Sequence, residues 1–333
     1  MRYYLFILFA FILNDAFAQE RIEDTQALHY KVKTEDGVID YMKVGLDTTS
    51  VKPVMIFLQG SLPVPLVIGF DNFNHVNLPF DPTYLIERYH LVVISMPGTP
   101  VFAKKKQLNN SFCYLTDPEN PQSFSEEFLK ANVLETYVNR TQSVIEDLCD
   151  RSWVWGTDIN LMGHSQGAKI ATVVASQNKL IGTVSLFGFN PYGRYEEKLR
   201  RNREAFKSGK IKPEDYLYNL ENLYDEWRAI NDSPDDFKKG YNSALSFSIN
   251  YMPYLLKIEA PIYLAWGTND FIAANADLVP LEFIKAGKTN FAYIPYPGLD
   301  HNFFKLKDGK PDYENGAHWN DVVADLLIWL VHG

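Results

Sequence analysis

The sequence predicts an α/β fold in which a mostly parallel central sheet is covered by helices on both faces and carries an inserted helical cap. Short apolar runs that end near Gly, Pro or Asn alternate with stretches of helical apolar spacing along the chain. Such runs are typical of strands buried on both faces of a parallel sheet. The 333 residues have 46% hydrophobic content, enough for a large core. This composition excludes a disordered chain and a small disulfide-stapled scaffold.

The first predicted element is an antiparallel hairpin with strands at 28–33 and 38–44, which flank a turn that contains Gly37. Six short apolar runs follow and are expected to form buried strands of the parallel part of the sheet. They lie at 54–58, 91–95, 159–162, 184–187, 262–265 and 291–294.

Two long helices are predicted from apolar spacing. The first covers 125–149, with Ser123 and Glu126 in the pattern of a capping box. The second follows Asn320 and closes the chain, with an apolar stripe that includes Val323 and Leu326.

The segment 191–257 interrupts the alternation of strands and helices. About a third of its residues are charged, against 22% for the whole chain, and it holds several tyrosines and Trp227. These observations predict a helical cap with a solvated outer face and an aromatic inner face. A set of ordinary surface helices with core aromatics is the alternative. Two further segments are expected to be loops. The segment 62–82 either forms a wall of the site or is a packed surface loop. The segment 99–122 is expected to be irregular.

The charge of the chain disfavours two classes of partner. Lys and Arg total 32 against 41 Asp and Glu, a formal net charge of -9, and no stretch is rich in Lys and Arg. Nucleic-acid binding depends on cations that neutralise phosphates, so no nucleic-acid partner is expected. Docking on anionic lipid is disfavoured for the same reason.

The N-terminus has the features of a signal peptide over residues 1–18. Arg2 precedes an apolar run over 3–13 that is too short to span a bilayer, and a small-x-small pattern ends at Ala18. We therefore expect export to the periplasm or the medium, a mature domain over 19–333, and no stable membrane insertion after cleavage. An anchor that stays uncut is the alternative.

The motif that indicates chemistry is Gly163-His164-Ser165-Gln166-Gly167. It follows a predicted strand and opens a predicted helix, which is the setting that a nucleophile elbow requires. The tight turn is expected to strain Ser165 and to leave no room for side chains at Gly163 and Gly167. The serine hydroxyl then lies at a helix N-terminus, where developing negative charge is stabilised.

At these residues the sequence resembles the α/β-hydrolase superfamily, whose order along the chain is nucleophile, acid and histidine. The resemblance implies that Ser165 is the nucleophile, Asp270 the acid and His301 the base, since Asp270 and His301 follow predicted strands in the expected order. Asp277 is the fallback acid. His164 is expected to be structural, because its side chain should point away from the neighbouring serine.

The family also implies an oxyanion hole made of two backbone N–H groups. The residue after the nucleophile, Gln166, provides one, and the loop after the strand at 54–58 provides the other through Ser61. Members of the family often have His-Gly in this loop, whereas this chain has Gln59-Gly60.

These features predict an exported serine hydrolase that cleaves carboxylic esters through an acyl-enzyme intermediate, with a small-molecule ester as substrate. We expect that ester to have a sizeable hydrophobic or aromatic part that contacts the cap. A peptidase or amidase of the same fold and a non-catalytic binding protein remain open. No motif indicates a metal or an organic cofactor. Cys113 and Cys149 lack redox or metal-ligand spacing, and a bridge between them is left open.

Overall fold

The computed structural model describes residues 20–22 and 24–332. The predicted signal peptide at 1–18 and the expected mature start at Gln19 lie outside them. Among the described residues, no helix is both long and apolar enough to cross a bilayer.

The strands, in chain order, are β1 Glu20–Arg21, β2 Ala27–Thr34, β3 Gly37–Val44, β4 Lys52–Leu58, β5 Val67–Gly69, β6 Asn74–Val76, β7 His90–Ile94, β8 Phe102–Lys104, β9 Val154–His164, β10 Ile181–Phe187, β11 Ile262–Gly267, β12 Phe291–Tyr296, β13 Leu306–Lys307 and β14 Lys310–Pro311. The α-helices are α1 Thr83–Ile86, α2 Glu126–Ala131, α3 Leu134–Cys149, α4 Gln166–Gln177, α5 Arg194–Lys207, α6 Pro213–Asp232, α7 Tyr241–Ser246, α8 Met252–Leu255, α9 Leu278–Lys285 and α10 Trp319–His332.

Nine of the described strands form the central sheet, in the order β1-β2-β3-β7-β4-β9-β10-β11-β12. The pairings from β1 to β7 are antiparallel, and those from β7 to β12 are parallel. The predicted hairpin and all six predicted strands are therefore confirmed as parts of one sheet. The expectation that all six are buried is wrong for β12, which lies at the edge of the sheet and has Tyr293 51% exposed.

The core lies on both faces of this sheet, because side chains along a strand alternate between faces. In β4, Val54 and Ile56 join a cluster with buried residues of α3, α4 and α9, whereas Met55 and Phe57 join a second cluster with α1 and α10. All four of these β4 side chains are buried. The prediction of helices on both faces is confirmed.

The helix predicted over 125–149 forms as two helices, α2 and α3, which are separated at Asn132 and Val133. The predicted capping box is also wrong in position. The N-cap of α2 is Ser125, whose hydroxyl accepts a hydrogen bond from the N–H of Phe128, whereas the hydroxyl of Ser123 donates to the carbonyl of Asp117.

The two singled-out loops contain short strands. Strand β5 pairs with β6 and with β8, so the segments 62–82 and 99–122 share a small three-stranded sheet among the described residues. Val67, Ile68 and Phe80 are buried there. This agrees with the interpretation of 62–82 as a packed segment.

Helices α5 to α8 fall between β10 and β11, where the sequence predicts the helical cap. The segment is not uniform. Tyr218 is 70% exposed in α6, whereas Tyr251 and Leu255 are fully buried in the main core. The two cysteines are unbridged: Cys113 is buried and Cys149 is partly exposed.

Candidate active site

The glycine-flanked motif forms the sharp turn between β9 and α4. Ser165 lies at this turn with φ 57° and ψ -116°, a region that residues with a Cβ rarely occupy. Its N–H donates to the carbonyl of Phe187 at 2.9 Å, which fixes the turn against the end of β10. Backbone strain of this kind costs about 1–3 kcal/mol and persists where the surrounding structure enforces it.

The two glycines of the motif lie where chain segments nearly touch. A Cβ on Gly163 would overlap the carbonyl oxygen of Gly167 and lie 2.7 Å from Cα of Ala168. A Cβ on Gly167 would overlap the carbonyl oxygen of Leu58, at the end of β4. These contacts explain the requirement for glycine on each side of the serine.

The structure brings Ser165, His301 and Asp270 together in one chain of hydrogen bonds. The Oγ of Ser165 lies 2.9 Å from Nε2 of His301, and Nδ1 of His301 lies 2.8 Å from Oδ2 of Asp270. The other carboxylate oxygen, Oδ1, accepts the N–H groups of Ile272 and Ala273. Asp270 is only 4% exposed, so its orientation is fixed by these bonds.

The strand ends place these three groups. Asp270 follows β11, His301 follows β12, and Ser165 follows β9, and these parallel strands end at the same edge of the sheet. In open α/β sheets, this edge is where ligands bind.

His164 contacts both the backbone and the ring of His301. Its Nε2 donates to the carbonyl of His301 at 2.9 Å, and its ring centroid lies 4.8 Å from that of His301 and 5.0 Å from that of Trp319. Burial lowers the pKa of His164 to about 3, so the ring is neutral at physiological pH. These contacts agree with the predicted structural role.

The fallback acid does not reach the histidine. Asp277 is exposed at the start of α9, and the carboxylate that is hydrogen-bonded to His301 is that of Asp270.

The two predicted oxyanion donors line the same cavity as Ser165. Neither the N–H of Ser61 nor that of Gln166 donates a hydrogen bond to another residue in the described part of the chain. The loop lies close to the nucleophile, since a Cβ on Gly60 would lie 3.9 Å from Cβ of Ser165. The two N–H groups are thus available for a ligand oxygen.

The cavity beside Ser165 has a volume of about 190 Å³, and several charged residues line it. Helix α5 contributes Arg194, Glu197, Lys198 and Arg201. This differs from the expected aromatic lining, because the aromatic side chains of the segment 191–257 pack elsewhere. Trp227, for example, contacts Tyr195, with ring centroids 4.4 Å apart.

The comparisons with known proteins concern the fold. No family model and no curated protein matches the sequence. Among solved structures, a putative dienelactone hydrolase from Klebsiella pneumoniae matches with a TM-score of 0.53 and 12% identity, covering 92% of this chain and 96% of that one. E-2-(acetamidomethylene)succinate hydrolase matches with a TM-score of 0.51 and 14% identity, covering 91% and 99%. A bacterial membrane phospholipase A matches with a TM-score of 0.51 and 16% identity, covering 92% and 86%.

The chain has the α/β-hydrolase fold. This confirms the fold that is implied by the resemblance based on the motif and on the order of Ser165, Asp270 and His301 along the chain. The matched solved structures are hydrolases by their own descriptions.

Sequence reasoning did not single out several residues of the site in this α/β-hydrolase fold, including four that lie close to the predicted residues or to the strand ends. Lys169, Gly188, Asn190 and Arg194 all line the cavity with Ser165. Two signals were present in the sequence: Lys169 lies one helical turn after Ser165, and Gly188 directly follows a buried strand. Arg194 and Asn190 reach the site only through the path of the chain after β10.

Gly188 borders the hydrogen-bonded chain directly. It has φ 57°, and a Cβ there would lie 2.9 Å from Cε1 of His301 and 3.3 Å from Oδ2 of Asp270. Among the residues that the structure describes, no group of three or more His, Cys, Asp or Glu side chains is arranged to hold a metal ion.

Proposed function

We propose that this protein is an exported serine hydrolase that cleaves carboxylic esters through an acyl-enzyme intermediate. The observation that carries the proposal is the hydrogen-bonded chain from Ser165 through His301 to Asp270. A serine hydroxyl is a weak nucleophile until a base accepts its proton, and this chain contains the base and the carboxylate that orients it.

In the first half of the reaction, Oγ of Ser165 attacks the ester carbonyl carbon while its proton moves to Nε2 of His301. The carbonyl oxygen becomes an oxyanion, for which the N–H groups of Gln166 and Ser61 are the donors. Asp270 holds Nδ1–H of the ring and stabilises the imidazolium. The intermediate collapses as the C–O bond to the alcohol breaks, and His301 returns the proton to the leaving oxygen.

In the second half, water attacks the acyl-enzyme and gives a proton to Nε2 of His301. The same two N–H groups stabilise the second oxyanion. The bond to Ser165 Oγ breaks, the acid product leaves, and the serine regains its proton from the ring.

Ester cleavage is preferred over amide cleavage for two reasons. The core motifs contain no evident anchor for a peptide terminus. In addition, the matches to the phospholipase A and the dienelactone hydrolase cover 86% and 96% of those chains, whereas the match to Porphyromonas gingivalis dipeptidyl peptidase 4 covers 35% of that chain. The peptidase or amidase hypothesis is the second candidate.

The decisive test is covalent labelling by a fluorophosphonate probe, together with hydrolysis of 4-nitrophenyl esters and aminoacyl anilides. We expect labelling and ester turnover in the wild type, and loss of both in Ser165→Ala. The matched control is Ser176→Ala near the other end of α4, which should keep both. An unlabelled wild type would favour a non-catalytic binding protein, and faster turnover of anilides than of esters would favour the peptidase.

The export part of the proposal rests on the sequence of residues 1–18. Mass spectrometry of protein made in its native host should show a chain that begins at Gln19. Intact Met1 in a cytoplasmic fraction would contradict export.

We further propose that the segment 191–257 acts as a substrate-selecting cap. Its helix α5 supports this role, because four of its side chains line the cavity with Ser165. Exchanging only residues on α5 should change the preference among large esters more than the turnover of small activated ones, and an unchanged specificity profile would refute the role.

A further inference from the structure

The wall of the cavity beside Ser165 carries an excess of positive charge. Four cations line it, Lys169, Arg194, Lys198 and Arg201, against the single carboxylate of Glu197. In a chain whose net charge is -9, such a local excess is unusual, and the contacts of each cation show which charges are already balanced.

Two of the cations already have carboxylate partners. Lys198 lies 3.0 Å from the carboxylate of Glu226, and Arg201 lies 3.8 Å from that of Glu197. The carboxylate of Glu197 also interacts at longer range with Lys169 and Arg194, so among the described residues one carboxylate of the wall is shared by three cations.

Lys169 is the first unpaired cation. It lies in the first turn of α4 and is only 6% exposed. Its Nζ lies 5.4 Å from the ring centroid of Tyr251, and it forms no hydrogen bond or ion pair with any residue that the structure describes. Burial, reinforced by the charge of Arg194, lowers the pKa of Lys169 to about 8, although the carboxylates of Glu197 and Glu196 oppose this shift.

Arg194 is the second. Its guanidinium donates to the amide oxygen of Gln166 and to the hydroxyl of Ser243, and it stacks over the ring of Phe247 with 4.7 Å to the centroid. All of these partners are neutral. Within the described residues, Arg194 therefore forms no direct ion pair, and the carboxylate of Glu197 acts on it only at longer range.

The side-chain amide of Asn190 is a third group beside the cavity that lacks a partner among the described residues. Asn190 is 1% exposed and lines the cavity, and its Nδ2 group is buried with no hydrogen-bond partner among the described residues. Its Oδ1 is already used by the N–H of Tyr192 and by the amide of Asn275. An unsatisfied buried donor is costly unless a ligand completes it.

Lys169 is buried, Arg194 is partly buried, and the carboxylate that they share with Arg201 does not balance all three charges. This arrangement is also costly, because burial and mutual repulsion both disfavour the cations. A bound anion removes both penalties and accepts hydrogen bonds from the free donors.

We propose that the substrate carries an anionic oxygen group, a carboxylate or a phosphate, which binds between Lys169 and Arg194 beside the scissile ester. The spacing follows from α4: Lys169 is four residues after Ser165, a rise of about 6 Å along the helix. This inference rests on the proposed function and adds the charge of the substrate to it.

The first test compares matched esters with the wild-type protein. The 4-nitrophenyl half-esters of succinate, glutarate and adipate each carry a free carboxylate, and the matched neutral substrates are the same compounds with that carboxylate as a methyl ester. We expect kcat/KM, corrected for spontaneous hydrolysis, to be at least about tenfold higher for the best charged member, since a charge-assisted hydrogen bond has about that effect. Equal or higher values of kcat/KM for all neutral members would overturn the inference for acyl-side anions.

An anion on the alcohol side of the ester is tested with 4-acetoxybenzoate and its methyl ester. Equal values of kcat/KM for these two substrates as well would overturn the inference entirely.

The second test assigns the preference to its residues. In Lys169→Met, the ratio of kcat/KM for the charged and the neutral ester should fall about ten- to a hundredfold. The matched control is Lys179→Met, which removes the same charge from an exposed position beyond the other end of α4 and should keep the wild-type ratio. A preserved ratio in Lys169→Met would show that this lysine does not bind the anion.

A binding measurement separates this inference from the proposed function. Calorimetry with Ser165→Ala should detect glutarate or inorganic phosphate, whichever is the better match, with binding weakened in the double variant that includes Lys169→Met. Binding without Ser165-dependent ester turnover in the wild type would contradict the proposed function and keep the anion site. Ester turnover with neither anion preference nor anion binding would contradict the anion site alone.

Discussion

The backbone of Ser165 is held in a strained region by groups on three sides: the N–H bond to Phe187, the close approach of Gly163 to α4, and that of Gly167 to the end of β4. The strain could be predicted from sequence because two glycines spaced around a serine, between a strand and a helix, are typical of one kind of tight turn. The same pattern places Lys169 one helical turn after the serine, but it does not show that the side chain lines a cavity, because α5 forms the other wall.

Substitutions of two aspartates, Asp270 and Asp277, should differ in their effect on activity. Asp270→Asn should leave the fold intact and lower kcat by about ten-thousandfold, because the amide favours the wrong imidazole tautomer; the magnitude is that of the chymotrypsin-type triad. Asp277→Asn is the matched control and should keep activity near the wild-type value, since that side chain is exposed. Ester turnover and far-UV circular dichroism of both variants check this. A larger loss in Asp277→Asn would mean that the acid is misassigned.

Among the helices and strands, the strands of the central sheet could be predicted from the sequence, whereas the break between α2 and α3 could not. A continuous apolar period runs through Leu129, Val133 and Tyr137, so the spacing predicts one helix. Two contacts accompany the break at Asn132: its side chain accepts a local hydrogen bond from the hydroxyl of Tyr137, and the N–H of Leu134 donates to the hydroxyl of Ser246, 112 positions later. The second is a tertiary contact, which the apolar spacing does not contain.

Long-range contact also selects the cap of α2. The hydroxyl of Ser125 donates to the carbonyl of Gly98 in addition to accepting from Phe128. A local capping-box pattern at Ser123 contains no information about that contact. The small sheet of β5, β6 and β8 was missed for a related reason, because strands of three residues are too short to show a period.

The segment between β10 and β11 divides into core and surface parts, which predicts unequal sensitivity. Leu255 is 0% exposed in α8, whereas Leu217 is 59% exposed in α6. Leu255→Ala should lower the free energy of unfolding by about 2–5 kcal/mol because it leaves a cavity in the main core. Leu217→Ala should change it by about 0.5 kcal/mol or less. Urea denaturation of the two leucine variants gives the comparison, and similar losses would contradict the division.

For the whole molecule, His164 links stability to pH. Its pKa is about 3 in the folded protein because of burial, against about 6.5 in an unfolded chain. Between these values only the unfolded state binds the proton, so stability is lost as the pH falls from about 6.5 towards 3, by about 1.4 kcal/mol per pH unit for this group.

The contribution of His164 is isolated by a variant. His164→Gln replaces the ring with an amide that does not titrate and still has a donor for the carbonyl of His301. The free energy of unfolding, measured by urea at pH 7.5 and pH 5, should fall more in the wild type than in the variant. Equal falls would show that other groups account for the acid sensitivity.

Gly188 has a consequence for how the protein tolerates mutation. A substitution there meets two different constraints: the positive φ, which Asn and Asp also accept, and the imidazole of His301, which can rotate away from a new Cβ. A saturation library sorted for abundance should therefore retain Gly, Asn and Asp at position 188, whereas the same library sorted for ester turnover should retain Gly alone. Variants at this position would accumulate as folded, inactive protein, so their damage would be invisible to any screen that measures expression.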